Sequence, residues 1–277
     1  MTWMHGGHNN WFSINLESSP FRLKFNTRAS KLYTDFEKAA DNAAQLLQQS
    51  WGEKNLYLAL SGGIDSELVA NTLLRNKIKF TPIILKIDEI NALETWYAEY
   101  WCKQNNIQPV ILQYTIDDLI QSIKKFFPKL HTIKNYNQTP ILIMYEYAEK
   151  HNGYCLYCGG DINLDSEKKQ FYCKSLDFVS NIVDIGHHPT SFFMYTPELA
   201  LSYVNQFDLA LDEQYNKLSF YKVGPRPKID YVLKISDQPK FIQLREKLFH
   251  IFKVRENNFD SCHWYGTKEQ IVQELSP

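Results

Sequence analysis

The segment 61–66, with the sequence Ser-Gly-Gly-Ile-Asp-Ser, concentrates residue types that bind an anion. Glycine lets the backbone approach a ligand closely because it has no Cβ atom. The hydroxyl groups of Ser61 and Ser66 can donate hydrogen bonds, while Asp65 can accept them from helix N–H groups or hold a divalent cation. A turn of this composition at the start of a helix predicts a binding site for a chain of phosphates.

The residues on either side predict the strand and the helix that would position this segment. Residues 56–60 are uncharged, as is typical of a central parallel strand covered on both faces. After the turn, apolar residues recur with helical spacing at Ile64, Leu68 and Leu73. The alternative is a plain strand–turn–helix connection. The segment has neither the Gly-Lys-Ser/Thr of a Walker A loop nor the GxGxxG spacing of a dinucleotide-binding fold.

A helix N-terminus alone is too weak to hold a nucleotide. It contributes ~0.3–2 kcal/mol toward an anion, whereas micromolar affinity requires about 8 kcal/mol. We therefore expect Mg²⁺, Lys or Arg side chains and a pocket for the base to supplement the turn.

Patterns typical of helices and strands alternate through residues 32–158. The predicted helices cover 32–47, 64–73, 93–105, 116–127 and 139–151, and the predicted strands cover 56–60, 80–87, 109–113 and 154–158. This alternation predicts an α/β fold with a parallel sheet and helices on both faces. Because ligands bind at the carboxyl ends of such strands, the expected rim consists of Ser61–Ser66, Lys86–Glu94 and Gly159–Asp161.

The segment 61–66 resembles the SGGxDS signature of the PP-loop (N-type) ATP pyrophosphatase superfamily. Asn91-Ala92-Leu93-Glu94 is similar to the Glu-containing segment after the second core strand of asparagine synthetase domains. The run from Thr139-Pro140 to Gly159-Gly160-Asp161 also looks like these domains. The resemblance covers roughly residues 55–165. It implies an adenine-nucleotide alpha-hydrolase-like (HUP/Rossmann-like) fold in a stand-alone or phage-type member.

This resemblance implies ATP and Mg²⁺ as the ligands. A carboxyl or amide group of the substrate would be adenylated with release of pyrophosphate, and a nitrogen nucleophile would then displace AMP. Asp65, Glu94 and Lys228 would be the catalytic residues, and Asp65 and Asp161 would be the metal ligands. The nucleotide would contact Ser61, Gly62, Gly63, Asp65, Ser66, Lys86, Gly159, Gly160 and Arg226.

Several of these assignments have plainer alternatives. The longer acidic loop of the family is replaced here by Gly-Gly-Asp-Ile-Asn, so either Asp161 or Asn163 would take the acidic position. Lys86 and the basic turn with Arg226 and Lys228 are also explained as exposed surface charges. A Glu in the first turn of a helix can simply favour the helix dipole.

The cysteines bear on a second possible chemistry. The chain has five, Cys102, Cys155, Cys158, Cys173 and Cys262, an odd number that does not suit a closed disulfide framework. Residues three apart on a strand point to opposite faces, so we expect Cys155 and Cys158 to be buried thiols and not zinc ligands. A reactive Cys158 or Cys262 would favour a sulfur-transfer or phosphoadenylylsulfate reductase-like member of the superfamily. A nucleotide-binding module without catalysis is the remaining alternative.

The composition predicts a folded chain without a general nucleic-acid surface. Its 30 Lys and Arg residues balance 31 Asp and Glu residues, and 44% of its residues are hydrophobic. No apolar run approaches the ~20 residues that a membrane helix needs, and the first eight residues lack the pattern of a signal peptide. We expect a cytoplasmic protein with a small-molecule or nucleobase-like substrate and no membrane partner. The sequence does not predict an oligomeric state.

The regions around the nucleotide-binding core carry weaker signals. We expect residues 1–54 to form a strand/helix extension, 55–165 the PP-loop core, and 166–277 a mainly helical region packed on that core. Thr196-Pro197 predicts the capped start of a helix. The sequence predicts a frayed terminus at His5–His8 and a structural or solvent-exposed turn at His187-His188.

Overall fold

A parallel four-stranded sheet forms the centre of the protein. The computed structural model describes residues 3–15, 22–88, 90–126, 139–158, 162–165, 167–173, 191–211, 213–223 and 263–277. Numbered in chain order among these residues, the central strands are β4 (Asn55–Ala59), β5 (Thr81–Ile87), β6 (Val110–Tyr114) and β7 (Gly153–Leu156). Their order is β6-β5-β4-β7, and each neighbouring pair is parallel.

Helices cover both faces of this sheet. They are α1 (Phe36–Trp51), α2 (Ile64–Arg75), α3 (Ala92–Gln104), α4 (Ile116–Phe126) and α5 (Thr139–Lys150). Along β4 the side chains alternate, so Leu56 and Leu58 pack with α1, α2 and α3, whereas Tyr57 and Ala59 pack with α4 and α5. Burial on both faces explains why this strand is continuously apolar. The predicted α/β fold is therefore confirmed.

Most ends of these elements lie within one or two residues of the prediction; the exceptions are the two ends of the first helix, which ends at Trp51 and not at Leu47. The first helix begins at Phe36, and the prediction that it includes Leu32 was wrong. The Asp35 side chain accepts a hydrogen bond from the Glu37 N–H at 3.0 Å and caps the helix there. Leu32, which precedes this cap, is exposed.

Helix α1 packs through a face of small residues. Ala39, Ala40, Ala43 and Ala44 recur with helical spacing, and each has 0% of its surface exposed. Because these side chains are short, the backbone of α1 lies close to its neighbours, α2 and α6 (Pro197–Gln206).

The other described elements form two antiparallel sheets, three α-helices and two short 3-10 helices, His8–Asn10 and Phe192–Met194. One sheet contains β1 (Trp3–Gly6), β2 (Phe12–Asn15) and β3 (Arg22–Phe25); the other, in the order β10-β9-β8, contains β8 (Asn163–Asp165), β9 (Gln170–Cys173) and β10 (His263–Thr267). The helices are α6, α7 (Glu213–Tyr221) and α8 (Lys268–Leu275). We did not predict β9 and β10, because their sequences, Gln-Phe-Tyr-Cys and His-Trp-Tyr-Gly-Thr, show neither an apolar run nor a clear alternation. Among the described helices, none has the length and apolar character needed to cross a bilayer.

The prediction of a frayed terminus at His5–His8 was wrong. His5 pairs with Ser13 across β1 and β2, and its Nδ1 lies 2.8 Å from the Ser13 Oγ. The N–H of His8 donates to the Tyr195 carbonyl at 2.7 Å. Strand pairing satisfies backbone groups that a frayed segment would leave to water.

The capped start of α6 is confirmed. The Thr196 side chain accepts a hydrogen bond from the Leu199 N–H at 3.2 Å, and Pro197 occupies the first turn. His187 and His188 lie outside the described residues. The boundaries at residues 54 and 165 between the three predicted regions stay predictions.

An aromatic cluster connects α7 to the rest of the core. The ring of Phe36 in α1 lies 5.0 Å from that of Phe220 and 5.7 Å from that of Tyr221, measured between centroids. Tyr203 of α6 lies 5.5 Å from Phe220. These residues share one buried core with Leu58 of the central sheet. This packing fixes α7, which supplies two side chains to the site described next.

Candidate functional site

The segment 61–66 leaves the sheet beside a topological switch point. The chain places β5 and β6 on one side of β4 and later returns to place β7 on the other side. The crevice at the carboxyl ends of β4 and β7 is where open α/β sheets bind ligands. Since β4 ends at Ala59 and α2 begins at Ile64, the segment lies at this edge of the sheet, as predicted.

The N-terminus of α2 has no side-chain cap. Its N-cap residue is Gly63, which has no side-chain oxygen to satisfy the first N–H groups of the helix. These N–H groups lie at the positive end of the helix dipole. The arrangement suits an anion such as a phosphate.

Gly62 brings the N-terminus of α3 against the turn. Its φ is +83°, a left-handed conformation that glycine adopts readily. A Cβ atom at this position would lie 1.9 Å from the Glu94 carbonyl oxygen. Gly63, by contrast, has no neighbour closer to such an atom than the Ser61 Oγ at 3.4 Å. The first glycine is therefore required for packing, and the second leaves space beside the helix end.

The two hydroxyl groups of the segment contact each other. The Ser61 Oγ lies 3.1 Å from the Ser66 Oγ, and the Ser66 hydroxyl donates to the Gly63 carbonyl at 2.9 Å. The Gly63 N–H donates to the Ser61 Oγ at 3.2 Å. Ser61 is exposed and Ser66 is buried. These bonds hold the turn in shape, and the exposed Ser61 is the hydroxyl that a ligand can reach.

Asp65 is held by two residues of α7. The Tyr221 hydroxyl donates to the Asp65 Oδ1 at 2.7 Å. The Lys217 Nζ lies 3.4 Å from that Oδ1 and 3.5 Å from the Oδ2. Lys217 is 7% exposed, so its ammonium is a buried charge whose cost this carboxylate offsets.

Burial raises the pKa of Tyr221 well above its usual value, and the nearby Tyr203 and Asp65 raise it further. The phenol therefore stays protonated and remains a donor to Asp65. Sequence analysis missed both Lys217 and Tyr221. Their only signal was a spacing of four residues, which places two side chains on one face of a helix.

Glu94 and Lys86 both belong to the predicted rim, but their side chains have different surroundings. The Oε2 of Glu94 is buried and has no hydrogen-bond partner among the described residues. A buried acceptor without a donor is costly and suits a ligand that brings one. The ammonium of Lys86 instead forms an ion pair with the Glu99 carboxylate of α3.

The structure thus brings together six of the predicted site residues. These are Ser61, Gly62, Gly63, Asp65, Ser66 and Glu94, all of them in or against the turn. Gly159, Gly160, Asp161, Arg226 and Lys228 lie outside the described residues, and their roles stay predictions. Asn163, the alternative to Asp161, is the first residue of β8.

The described residues do not fit Mg²⁺ bound directly to Asp65. Both of its carboxylate oxygens already lie beside an ammonium, and one also accepts the Tyr221 hydrogen bond. A second cation at the same oxygens would be repelled by Lys217. Within the described part of the chain, no group of three or more His, Cys, Asp or Glu residues could hold a metal ion. The metal role of Asp65 with Asp161 stays a prediction.

The described thiols are buried, as predicted. Burial raises the pKa of Cys155 from 9.0 to about 12 and that of Cys102 also to about 12, with Glu99 adding to the effect at Cys102. Cys158 is buried just beyond the end of β7. Thiols that stay protonated at neutral pH are poor nucleophiles. Cys262 lies outside the described residues.

Comparisons with known proteins give similar solved structures but no sequence family. No protein-family model matches the chain, and no curated protein matches it either. One similar structure is the NMN synthetase from Francisella tularensis, at 16% identity and a TM-score of 0.36, over 49% of this chain and 57% of that one. The match thus spans little more than half of that enzyme.

Two further structures are similar over more of the chain. The NH3-dependent NAD synthetase from Campylobacter jejuni matches at 18% identity and a TM-score of 0.38, covering 87% of this chain and 95% of that one. The U34-tRNA thiolase NcsA from Methanococcus maripaludis matches at 15% identity and a TM-score of 0.35, covering 87% and 78%. At TM-scores below 0.5, these similarities assign neither a substrate nor a reaction to this chain.

Proposed function

We propose that this protein binds ATP at the Ser61–Ser66 turn and cleaves it between the α- and β-phosphates to adenylate a small-molecule substrate. The observation that carries the proposal is the uncapped N-terminus of α2 at the switch point of a parallel sheet, with Gly62 packed against Glu94. The SGGxDS-like sequence of this turn supports membership of the PP-loop superfamily.

The β- and γ-phosphates would lie against the turn. The N–H groups at the start of α2 and the exposed hydroxyl of Ser61 would donate to their oxygens. Lys217 adds a cation within the same region, next to Asp65. By the sequence resemblance, Gly159, Gly160 and Arg226 would contact the nucleotide, and Lys86 would do so only after leaving Glu99.

The reaction would proceed by displacement at the α-phosphorus. A carboxyl or amide oxygen of the substrate attacks, the bond to the β-phosphate oxygen breaks, and pyrophosphate leaves. A nitrogen nucleophile then attacks the activated carbon and AMP leaves. Glu94 would take the proton that the nitrogen loses, since its buried Oε2 has no donor among the described residues. Lys228 would be a further catalytic residue. Asp161, a predicted metal ligand, would hold Mg²⁺, and the ion would supply positive charge that neutralises the leaving pyrophosphate.

A sulfur-transfer reaction is less well supported by the thiols that the structure describes. Burial raises the pKa of Cys155 to about 12, and Cys158 is buried as well. The predicted alternative, which named Cys158 or Cys262, would therefore depend on Cys262, which lies outside the described residues. An asparagine synthetase-like subtype rests on the sequence resemblance alone.

The products of ATP consumption test this proposal. We would incubate the protein with ATP, Mg²⁺ and a metabolite pool and measure AMP, ADP, pyrophosphate and orthophosphate. We expect AMP and pyrophosphate in equal amounts. Glu94→Gln should reduce their formation by about 100-fold or more and leave ATP affinity nearly unchanged. Glu149→Gln, an exposed carboxylate on α5, is the matched control.

Formation of only ADP and orthophosphate would exclude cleavage between the α- and β-phosphates. If the protein binds ATP but consumes none with metabolite pools from several sources, the result would instead support a nucleotide-binding module without catalysis. Equal rates for Glu94→Gln and Glu149→Gln would remove the assigned role of Glu94.

A further inference from the structure

The contacts of Asp65 raise the question of what charge this carboxylate presents to a nucleotide. Asp65 is in the first turn of α2, beside the N–H groups that face the proposed phosphates. An isolated carboxylate there would repel an incoming triphosphate, because like charges a few ångströms apart interact unfavourably. A cation beside Asp65 is therefore needed before the helix end can attract an anion.

Lys217 supplies such a cation from within the chain. Its Nζ lies 3.4 and 3.5 Å from the two Asp65 oxygens, so a positive charge stands beside the negative charge of this carboxylate. Tyr221, one helical turn later on α7, fixes the same carboxylate through a hydrogen bond of 2.7 Å. The ring of Tyr221 is itself fixed by Phe36 and Phe193, whose centroids lie 5.7 and 5.8 Å away.

We propose that Lys217 is the resident cation of the nucleotide turn, and that Asp65 and Tyr221 are positioning residues that hold its ammonium at the N-terminus of α2. This inference rests on the proposed function, because it assumes that ATP occupies the turn. It gives Asp65 a role other than that of a metal ligand. It also implies that part of the affinity for ATP does not depend on a divalent metal.

The test is ATP binding measured by calorimetry, once in excess EDTA and once with Mg²⁺. In EDTA, Lys217→Met should weaken ATP binding at least tenfold, and Lys217→Arg, which keeps the charge, should stay within about threefold of the wild type. Lys222→Met is the matched control, because it makes the same substitution of a lysine just after the end of α7, the helix that carries Lys217. Lys222 is exposed and forms ion pairs with Asp35 and Glu37 at 3.6–3.7 Å, away from the turn. The Lys222→Met variant should therefore bind ATP with wild-type affinity.

A second pair of variants separates the two possible roles of Asp65. If Asp65 is a positioning residue, Asp65→Asn should leave the Mg²⁺ concentration for half-maximal ATP binding within twofold of the wild-type value. Tyr221→Phe keeps the ring packing and should lower the affinity in EDTA by several-fold without a matching loss in melting temperature. If Lys217→Met does not fold, the Asp65→Asn and Tyr221→Phe variants still test whether Asp65 positions Lys217 or binds the metal.

The outcomes distinguish this inference from the proposed function. Absence of ATP binding by the wild-type protein under both conditions would overturn the proposed function. Binding that needs Mg²⁺ in the wild type, with equal affinities for Lys217→Met and Lys222→Met, would overturn the role of Lys217 alone. A tenfold higher Mg²⁺ requirement in Asp65→Asn would make Asp65 a metal ligand and overturn the inference as well.

Discussion

Buried thiols make the stability of this protein sensitive to alkaline pH. Burial raises the pKa of Cys155 from 9.0 to about 12. Between these values the thiol is ionised in the unfolded chain but protonated in the folded one, so the folded state binds more protons. The free energy of unfolding should therefore be fully retained below pH 9 and fall as the pH rises above it.

Replacing Cys155 by alanine tests this dependence. For each such thiol, the free energy of unfolding should fall by about 1.4 kcal/mol per pH unit. Cys155→Ala should reduce that slope by this amount between pH 9 and pH 11, as measured by urea unfolding. Val69→Ala, a buried residue without an ionisable group, should lower stability by a similar amount at every pH. Equal slopes in the wild type and Cys155→Ala would contradict the predicted shift.

Single residues also show where sequence reasoning reaches its limit. The residues of the 61–66 turn were predictable because their chemistry is contiguous in the chain and sits between a strand and a helix. Lys217 and Tyr221 were not, because their role depends on α7 packing beside Asp65 across more than 150 positions of sequence. No local pattern encodes a contact of that separation.

At the scale of elements, the contact between the turn and α3 is the most constrained. Gly62→Ala should destabilise the protein by about 1–3 kcal/mol or more, because a left-handed residue gains a Cβ that overlaps the Glu94 carbonyl. The displacement of α3 should also weaken ATP binding at least tenfold. Urea unfolding and calorimetry measure the two effects.

Gly63→Ala is the matched control for this contact. The φ of Gly63 is −74°, which any residue adopts, and the nearest atom to an added Cβ is 3.4 Å away. We expect a change in stability within about 0.5 kcal/mol, as for other substitutions without a clash. A similar loss of stability in Gly62→Ala and Gly63→Ala would mean that the turn tolerates a side chain at neither position. The contact between Gly62 and Glu94 would then not explain the effect.

The elements of the parallel sheet were predictable for a physical reason. Strand β4 is a short apolar run followed by a turn, and α2 repeats apolar residues with helical spacing, so each carries its own signal. Strands β9 and β10 carry no such signal, because their sequences, Gln-Phe-Tyr-Cys and His-Trp-Tyr-Gly-Thr, show neither an apolar run nor a clear alternation. These segments are strands because they pair with each other, and neither sequence by itself indicates its partner.

At the scale of the whole molecule, one continuous core joins all three predicted regions. It includes Phe36 from the first, Leu58 from the second and Tyr203 from the third. Phe36 is 1% exposed and lies against three aromatic rings of α6 and α7. We therefore expect the described parts to unfold cooperatively.

Phe36→Ala tests this cooperativity. It should cost about 3–5 kcal/mol, as is usual when a buried aromatic side chain is truncated. Far-ultraviolet circular dichroism and tryptophan fluorescence should still give coincident unfolding curves. Leu32→Ala, at an exposed position nearby, should change stability by less than about 0.5 kcal/mol. Two separate transitions would show that the regions fold independently.

The four alanines on the buried face of α1 show that intolerance to substitution in this protein does not by itself mark a functional residue. They carry no reactive group, but each is fully buried where α1 packs on neighbouring helices, so a larger side chain would have to displace its surroundings. A survey of single substitutions would therefore find them as intolerant as Gly62. The two kinds of intolerance differ in pattern, since the alanines form two adjacent pairs one helical turn apart, whereas Gly62 is a single position in the turn.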